Sequence, residues 1–458
     1  MAKSSLHKQT LDGILKTYLA NIQRGGREGT SEMEVRFGTA KGMKPTTRIE
    51  YENVIKRFVS AGFKVSDPQY LLRIGSEYTH PDTGVVKISN IRVELEGIGV
   101  ISEYCKSNSL EELYENGKVK FIQKSSQRIK RTRDEVDVVE QYDASEFNFK
   151  AALNVENDYT DSRTAKSMVS SWKEKKKEFR YINRHVLTHR DFPLKIDVSI
   201  VKQTSKPGRH IERTYSFEDA NISSIPEKYE LEIEVLNERV GPSREYYGHS
   251  QLAIPVRKAI MMVLSGLQGT NYPISYTEQS KILQEYMGIM MATKDIPRRI
   301  LPKHFVGPSS IALQINNISK ANENSNIPSI RNGYTVTEKA DGDRKLLMIS
   351  NTGKIYLIDT NMVVQFTGAK TSSGELFSTI IDGEHITHNS KGAFINLYAA
   401  FDIYYLNGKD IRALDFAAMI GGKQLETRLG LVNKVYSSLR PFGATSRDSA
   451  PPIRIEVK

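Results

Sequence analysis

Two stretches of this chain carry side chains whose types and spacing could do chemistry together: Ser31-Glu32-Met33-Glu34-Val35-Arg36-Phe37-Gly38 and Tyr229-Glu230-Leu231-Glu232-Ile233-Glu234-Val235. Both alternate polar and apolar residues, as β-strands do when successive side chains point to opposite faces. Glu32, Glu34 and Arg36 then share one face, and Glu230, Glu232 and Glu234 share another. Carboxylates crowded on a face repel unless positive charge sits among them. Two glutamates from each of two strands make a hard-oxygen donor set suited to Mg2+ or Mn2+. Either strand alone reads equally well as a solvent-facing edge with an acidic rim. A matching basic set between the two favours a shared site.

That basic set also lies on alternating strands. In Arg180-Tyr181-Ile182-Asn183-Arg184, Arg180 and Arg184 share a face. In Lys195-Ile196-Asp197-Val198-Ser199, Lys195, Asp197 and Ser199 oppose Ile196 and Val198. Arg92 and Lys124 lie in strand-like contexts too. The apolar partners define packed faces, so in a closed barrel the charged faces would line the lumen. Such a lumen, with glutamates at one place and Arg and Lys at others, would hold a metal and a phosphate chain together. The run Lys173 to Lys177 reads as ordinary solvated surface.

A second constellation follows, Lys339-Ala340-Asp341-Gly342-Asp343-Arg344, after an expected strand at Tyr334 to Glu338. A lysine amine attacks phosphorus only when deprotonated, which nearby cations or desolvation promote. Gly342 would permit a tight turn that places Lys339, and Arg344 could fork onto ribose or phosphate. Alone, so short a match is often a surface turn. Ile380-Ile381-Asp382-Gly383-Glu384 and Ala400-Phe401-Asp402-Ile403 lie downstream, after a hairpin-like Lys345 to Met362.

These residues resemble two known families. The E-x-E-x-R-F-G strand, the later E-x-E-x-E strand and the basic strands between them look like the triphosphate tunnel metalloenzymes, and are most similar to the metal-dependent RNA 5′-triphosphatases of fungi, poxviruses and giant viruses. The resemblance implies an eight-stranded antiparallel tunnel. It implies Glu32, Glu34 and Glu234 as metal ligands and Glu230 and Glu232 as supporting acids. It implies Arg36, Arg92, Lys124, Arg180, Arg184, Lys195 and Asp197 as the groups that manage the phosphates. The family often has a lysine midway between the two arginines, where this chain has Ile182. K-x-D-G-x-R is the motif of covalent nucleotidyltransferases, the capping guanylyltransferases and the polynucleotide ligases. By that resemblance Lys339 is the nucleophile, Asp341, Gly342 and Arg344 complete the motif, Glu384 contacts ribose or metal, and Phe401 stacks on the base of GTP. Triphosphatase followed by guanylyltransferase is the order in large DNA virus mRNA capping enzymes of the mimivirus kind. No second D-G-hydrophobic strand and no K-x-K-P-like strand follows Asp402, so the second domain is expected to be partial, without the guanylylating activity of a longer protein. The remaining guanylyltransferase half and a methyltransferase are expected in cis or in trans. A cytoplasmic place, in a viral factory or a virion, goes with that resemblance.

The elements that must position these groups make an α+β chain. Expected are an antiparallel β-tunnel with bracing helices over residues 1–245, a helical brace and connector over 246–330, and the first part of a nucleotidyltransferase (ATP-grasp-like, ligase-like) domain over 331–458. Leu11, Leu15, Tyr18 and Ile22 recur at helical spacing. Thr47 and Glu50 form a capping box for a helix burying Ile49, Val54 and Phe58. Val85 to Leu95, Lys118 to Lys124, Glu178 to Val186 and Leu194 to Lys202 read as strands, and Asp134 to Ser171 as an insertion. Val256, Ile260, Val263 and Leu267 make one helical stripe; Ser275 and Glu278 cap another helix. Glu426 to Leu439 reads as helix and Ile453 to Lys458 as strand.

A net charge of +11 favours a polyanionic partner such as 5′-triphosphate RNA and says nothing of fold. One cysteine excludes an intrachain disulfide and a Cys-rich zinc site and fits a reducing setting. Met1 to Thr10 lacks the apolar run of a signal peptide. No run of about 18 apolar residues is present, so no membrane partner is expected. Charge alone would equally support a non-catalytic RNA-binding platform. The acidic strands alone would also suit an inorganic or thiamine triphosphatase, an adenylate cyclase or a polyphosphate polymerase. A ligase remains the rival for the second domain.

Overall fold

The computed structural model describes residues 2–23, 30–38, 44–80, 82–126, 141–204, 213–291, 297, 299–319, 327–331, 334–417, 419–420, 423–424, 426–445 and 450–458. The chain divides into two compact units, Met1–Gly269 and Thr270–Lys458. The division falls inside the 246–330 stretch that the sequence suggested as one brace, so its two long helices serve different cores.

Eight antiparallel strands of the first unit close on themselves. They are β1 (Thr30–Phe37), β2 (Gln69–Thr79), β3 (Val86–Glu96), β4 (Val119–Ser126), β5 (Phe149–Asp158), β6 (Lys177–Thr188), β7 (Leu194–Gln203) and β8 (Lys228–Val235). Around the ring the order is β1, β8, β7, β6, β2, β3, β4, β5 and back to β1. The β1–β5 ladder, Thr30↔Glu156 through Phe37↔Phe149, closes it. Closure satisfies every edge and leaves an inner and an outer face to each strand.

The outer faces supply two cores. Met33, Val35 and Phe37 of β1, Leu231, Ile233 and Val235 of β8 and Ile196 and Val198 of β7 pack with helices α1 (Ala2–Gln23), α2 (Arg48–Ser60) and α3 (His249–Gln268). The opposite flank packs Leu72, Ile74, Val93, Phe121 and Phe179 under Ile98–Ser107, Arg163–Ser170 and Trp172. The α2 capping box forms as expected, with the Glu50 amide donating to Thr47 Oγ1 at 3.3 Å and the Thr47 amide donating to the Glu50 carboxylate at 2.7 Å. Val54 and Phe58 are buried there, but Ile49 points to solvent and Tyr51 takes its place, because Tyr51 stands three residues before Val54 on the same helix face and Ile49 does not.

Two expectations fail in this unit. The stretch 134–171, read as an insertion, contributes tunnel strand β5 and the helix Arg163–Ser170; its residues 134–140 lie outside the described residues. Lys173 to Lys177 is not uniformly solvated. Lys177 is fully buried, 5.0 Å over the Trp172 ring, with Nζ donating to the carbonyls of Lys175 (2.8 Å) and Tyr215 (2.9 Å).

Burial pushes the Lys177 amine down to about 8. Between that value and the ordinary lysine range the unfolded chain holds a proton that the folded chain has lost, so stability rises with pH. Below about 8 both states are protonated and this contribution is gone. Wild type should therefore gain stability over Lys177→Met as pH goes from about 8 to about 10, by up to ~1.4 kcal/mol per pH unit. Urea denaturation at stepped pH reads the slope. A flat difference would mean that the amine titrates normally.

The second unit is built on a mixed sheet. Its strands are β9 (Asp343–Ile349), β10 (Lys354–Asp359), β11 (Val364–Lys370), β12 (Thr379–His388), β13 (Phe394–Leu406) and β14 (Arg454–Val457). The antiparallel order is β13, β12, β9, β10, β11, and β14 joins β13 in parallel. One face packs helix α4 (Tyr276–Met291) and the other helix α5 (Arg428–Leu439). Ser275 caps α4 through the Glu278 amide, but the Glu278 carboxylate goes to Lys354 and the Tyr356 hydroxyl instead of back to the cap. The hairpin β9–β10 and the helix before the final strand are as expected. Tyr334 to Glu338 is not a strand: it has no neighbour to complete a ladder, and Val336 is fully exposed. Among the described residues no helix is long and apolar enough to cross a membrane.

Candidate active site

Because the apolar residues of the two cores face outward, the alternate positions face inward, Ile182 among them on the face of Arg180 and Arg184. Glu34 of β1 lies directly across from Glu234 of β8, and Arg36 across from Glu232. Glu230, Glu232 and Glu234 in turn sit opposite Ser199, Asp197 and Lys195 of β7. Arg184 and Arg180 of β6 lie opposite Ser199 and Gln203. Lys124 of β4 faces Glu156 of β5. All twelve charged tunnel residues named from the sequence thus converge on one lumen, whose main cavity measures about 840 Å3.

Inside, acids and bases are interleaved. Lys124 reaches Glu32 (2.7 Å), Glu34 and Glu156 (3.5 Å). Arg36 bridges Glu34 and Glu232, both at 3.1 Å. Arg184 holds Asp197 at 2.6 Å, Lys195 holds Glu234 at 3.0 Å, and Arg180 holds Glu230. Arg92 spans Glu94 (2.7 Å) and Glu156 (3.0 Å). The sequence reading missed Arg73, Glu94, Asn154 and Glu156. Arg73 pairs with Glu94 at 2.7 Å and lies across from Arg180, and Asn154 donates to Glu34 at 3.1 Å. The alternation Phe149, Ala151, Leu153 against Lys150, Asn154, Glu156 was the available signal, blurred by the adjacent alanines 151 and 152.

The electrostatics separate two zones. Burial pushes Glu32 up to about 7, the pull of Lys124 notwithstanding, and the charges of Glu156 and Glu234 add to it. Burial also raises Glu234 against Lys195. At this end of the lumen burial outweighs the lysine partners of these two carboxyls. Farther along, burial raises Glu232, but Arg36, Arg184 and Lys124 outweigh it and hold it below the usual carboxylate range. Burial and the crowd of Arg92, Arg184 and Arg180 pull Arg73 down. This zone is short of negative charge.

The donor set of Glu32, Glu34 and Glu234 fits a hard divalent cation: carboxylate oxygens only, on neighbouring strands in register, facing the lumen. As they stand, no three described His, Cys, Asp or Glu side chains come close enough together to hold a metal. Lys124 and Lys195 occupy their oxygens instead.

In the second unit, Lys339 is exposed, its Nζ donating only to the Ala340 carbonyl at 3.3 Å, and Asp341 is exposed beside it. Gly342 is required by close approach: a Cβ there would lie 2.9 Å from the His385 carbonyl oxygen. Arg344 forks onto Asp382, with Nη2 to Oδ2 at 2.6 Å and Nε to Oδ1 at 3.2 Å, and also donates to the Pro308 carbonyl at 2.5 Å. Asp382 is fully buried and accepts the Tyr404 hydroxyl at 2.6 Å. Gly307, at φ +120°, lies so near that a Cβ would meet Arg344 Nη2 at 2.5 Å. Arg344 thus ties the 307–308 loop to the sheet. Glu384 is its cross-strand neighbour on β12, and one buried Glu384 oxygen, Oε2, has no hydrogen-bond partner. Phe401 is half-buried and belongs to neither apolar core of the unit.

Residues 268–428 match the family model for the mRNA capping enzyme, catalytic domain. That match falls almost wholly within the second unit, Thr270–Lys458. Over 221 residues, 48% of this chain, the sequence is 26% identical to the probable mRNA-capping enzyme of Acanthamoeba polyphaga mimivirus. The chain spans only 16% of that protein's length. Among solved structures, the mimivirus capping enzyme triphosphatase aligns over 55% of this chain and 94% of its own, at 15% identity and a TM-score of 0.32. The S. pombe Pct1 RNA triphosphatase aligns over 50% of this chain and 81% of its own, at 12% identity and a TM-score of 0.28.

Proposed function

We propose that the tunnel unit removes the γ-phosphate from the 5′-triphosphate end of RNA, as the first step of mRNA capping. The observation that carries this reading is the layout of the lumen: Glu32, Glu34 and Glu234 on adjoining strands at one end, and a row of arginines along the approach. Arg36, Arg73, Arg92 and Arg180 line the approach and would grip successive phosphates of a chain. Glu32, Glu34 and Glu234 would hold Mg2+ or Mn2+ beside the terminal phosphoryl group. The bound cation would supply charge neutralisation there. Arg184 and Lys195 are placed to stabilise the charge that grows as water adds to phosphorus and the bond to the β–γ bridging oxygen breaks, that oxygen staying with the RNA diphosphate. Glu230 and Glu232 hold Arg180 and Arg36 in position.

The same lumen would accept inorganic triphosphate. The catalytic domain of capping type in the same chain favours RNA. For that second unit we propose GTP as substrate, with Lys339, as the deprotonated amine, forming a phosphoamide bond to the α-phosphorus while the α–β phosphoanhydride bond breaks and pyrophosphate leaves, and with the unpartnered Glu384 oxygen facing the nucleotide. The further guanylyltransferase and methyltransferase parts, in cis or in trans, and a place in a viral factory or virion belong to the same reading.

The test is phosphate release from 5′-triphosphate RNA with Mg2+ or Mn2+. Arg180→Ala should lose roughly 2–4 kcal/mol of transition-state stabilisation, since it removes a positioned cation from the site. Lys173→Ala, on an exposed turn outside the lumen, should change little. A larger loss for Lys173→Ala than for Arg180→Ala would put the phosphates outside the tunnel.

A further inference from the structure

The lumen opens at both ends. The wide mouth lies where β8 begins and β7 finishes, at Lys228 and Gln203. At the other end of the same strands, Lys195 lies opposite Thr188 on one edge of β6, and Lys64 of the short strand Lys64–Val65 pairs with Thr188 on the other edge. Here lies a second cavity of about 420 Å3, lined by Lys64, Ser66, Gln69, Arg184, Lys195 and Asp197. Three cations face one carboxylate. Lys195 reaches from this cavity to Glu234, so the carboxylate cluster stands between the two openings. Asp197 is 2% exposed; Arg184 holds its Oδ2, while its Oδ1 is buried without a hydrogen-bond partner. Lys64 and Thr188 are exposed at the rim.

We propose that this second cavity binds orthophosphate and is the exit for the phosphate that the tunnel releases. The proposal rests on the hydrolytic reading above. An RNA chain can enter only by the wide mouth, so its terminal phosphate lies deepest, against the carboxylates. After cleavage the RNA diphosphate still fills the approach in front of the freed phosphate. The second cavity lies directly behind it, carries net positive charge, and offers donors from Lys64, Ser66, Gln69 and Lys195 together with the buried carboxylate of Asp197, which can accept the proton of a monohydrogen phosphate. Departure by the rear frees the phosphate without waiting for the RNA to leave.

Two measurements test this on the full chain. Rapid quench gives the time of cleavage, and a fluorescent phosphate sensor gives the time of release. Thr188→Trp, which plugs the rim, and Lys64→Glu, which reverses its charge, should each lengthen the interval between the two several-fold. Lys228→Glu at the wide mouth should leave the interval as in wild type. Calorimetry with inorganic phosphate needs no turnover: Lys64→Glu should weaken binding about tenfold. An interval unchanged in Thr188→Trp, with phosphate binding unchanged in Lys64→Glu, overturns the rear exit and leaves the triphosphatase reading standing. Wild-type protein that cleaves no triphosphate RNA but whose phosphate binding falls with Lys64→Glu fails the triphosphatase reading and keeps the rear site.

Discussion

Glu32→Ala, Glu34→Ala and Glu234→Ala should each abolish phosphate release while the tunnel stays folded. The three carboxylates face a lumen, not a core, and the strands that carry them are held by outward apolar residues that the substitutions do not touch. What each variant loses is one oxygen ligand of a divalent cation, and with it charge neutralisation at the phosphoryl group. That is several kcal/mol of transition-state stabilisation, on the order of a thousandfold in rate or more. Release is measured with triphosphate-ended RNA and either Mg2+ or Mn2+, and folding by circular dichroism on the same samples. If any two of the three variants release phosphate at near wild-type rates, the cation is not held by this trio.

The second large effect is structural. Asp382→Ala should destabilise the second unit by about 3–5 kcal/mol, the usual cost of leaving one partner of a buried ion pair behind. Asp382 is wholly buried and accepts three hydrogen bonds, two from Arg344 and one from Tyr404. Its removal strands a guanidinium and a phenol against the apolar face of the sheet. The chain reports the two units separately, because its single tryptophan, Trp172, lies in the tunnel unit. Denaturation followed by tryptophan emission should be unchanged, and the part of the circular dichroism transition that emission does not follow should move to lower urea. Coincident shifts in both signals would show that the pair also supports the tunnel.

Much of the tunnel site was legible because strand alternation converts sequence into facing. Once Met33, Val35 and Phe37 are assigned to a packed face, Glu32, Glu34 and Arg36 have nowhere to go but inward. The same logic placed Arg180, Arg184, Lys195 and Asp197. It failed at β5, where alanines 151 and 152 give neither face a clear character, and so Asn154 and Glu156 were lost with it. It failed at Lys177, since a charged residue within a charged run gives no sign that Trp172 and two carbonyls will enclose it. At Tyr334 to Glu338 local pattern suggested a strand, but it cannot say whether a neighbouring strand exists to pair with it. Arg344 is a different case. Its type suggested a ligand contact, yet a buried carboxylate three strands later in the sequence claims its fork, a pairing set by the β9–β12 register and invisible to local pattern.

Ring closure also governs how the first unit comes into being. The ladder that places Glu34 across from Glu234 joins the second element of the chain to the last strand of the barrel. Nothing short of Val235 can complete it. During synthesis, therefore, β2 through β7 are made and can pair, and the first strand can meet β5, while its other edge waits for β8. Such long-range pairing makes for slow folding, because the entropy of closing the loop is spent before the contacts that reward it exist. The lumen appears all at once, with the last ladder, and a nascent chain interrupted before that point holds every arginine of the approach and no tunnel in which to use them.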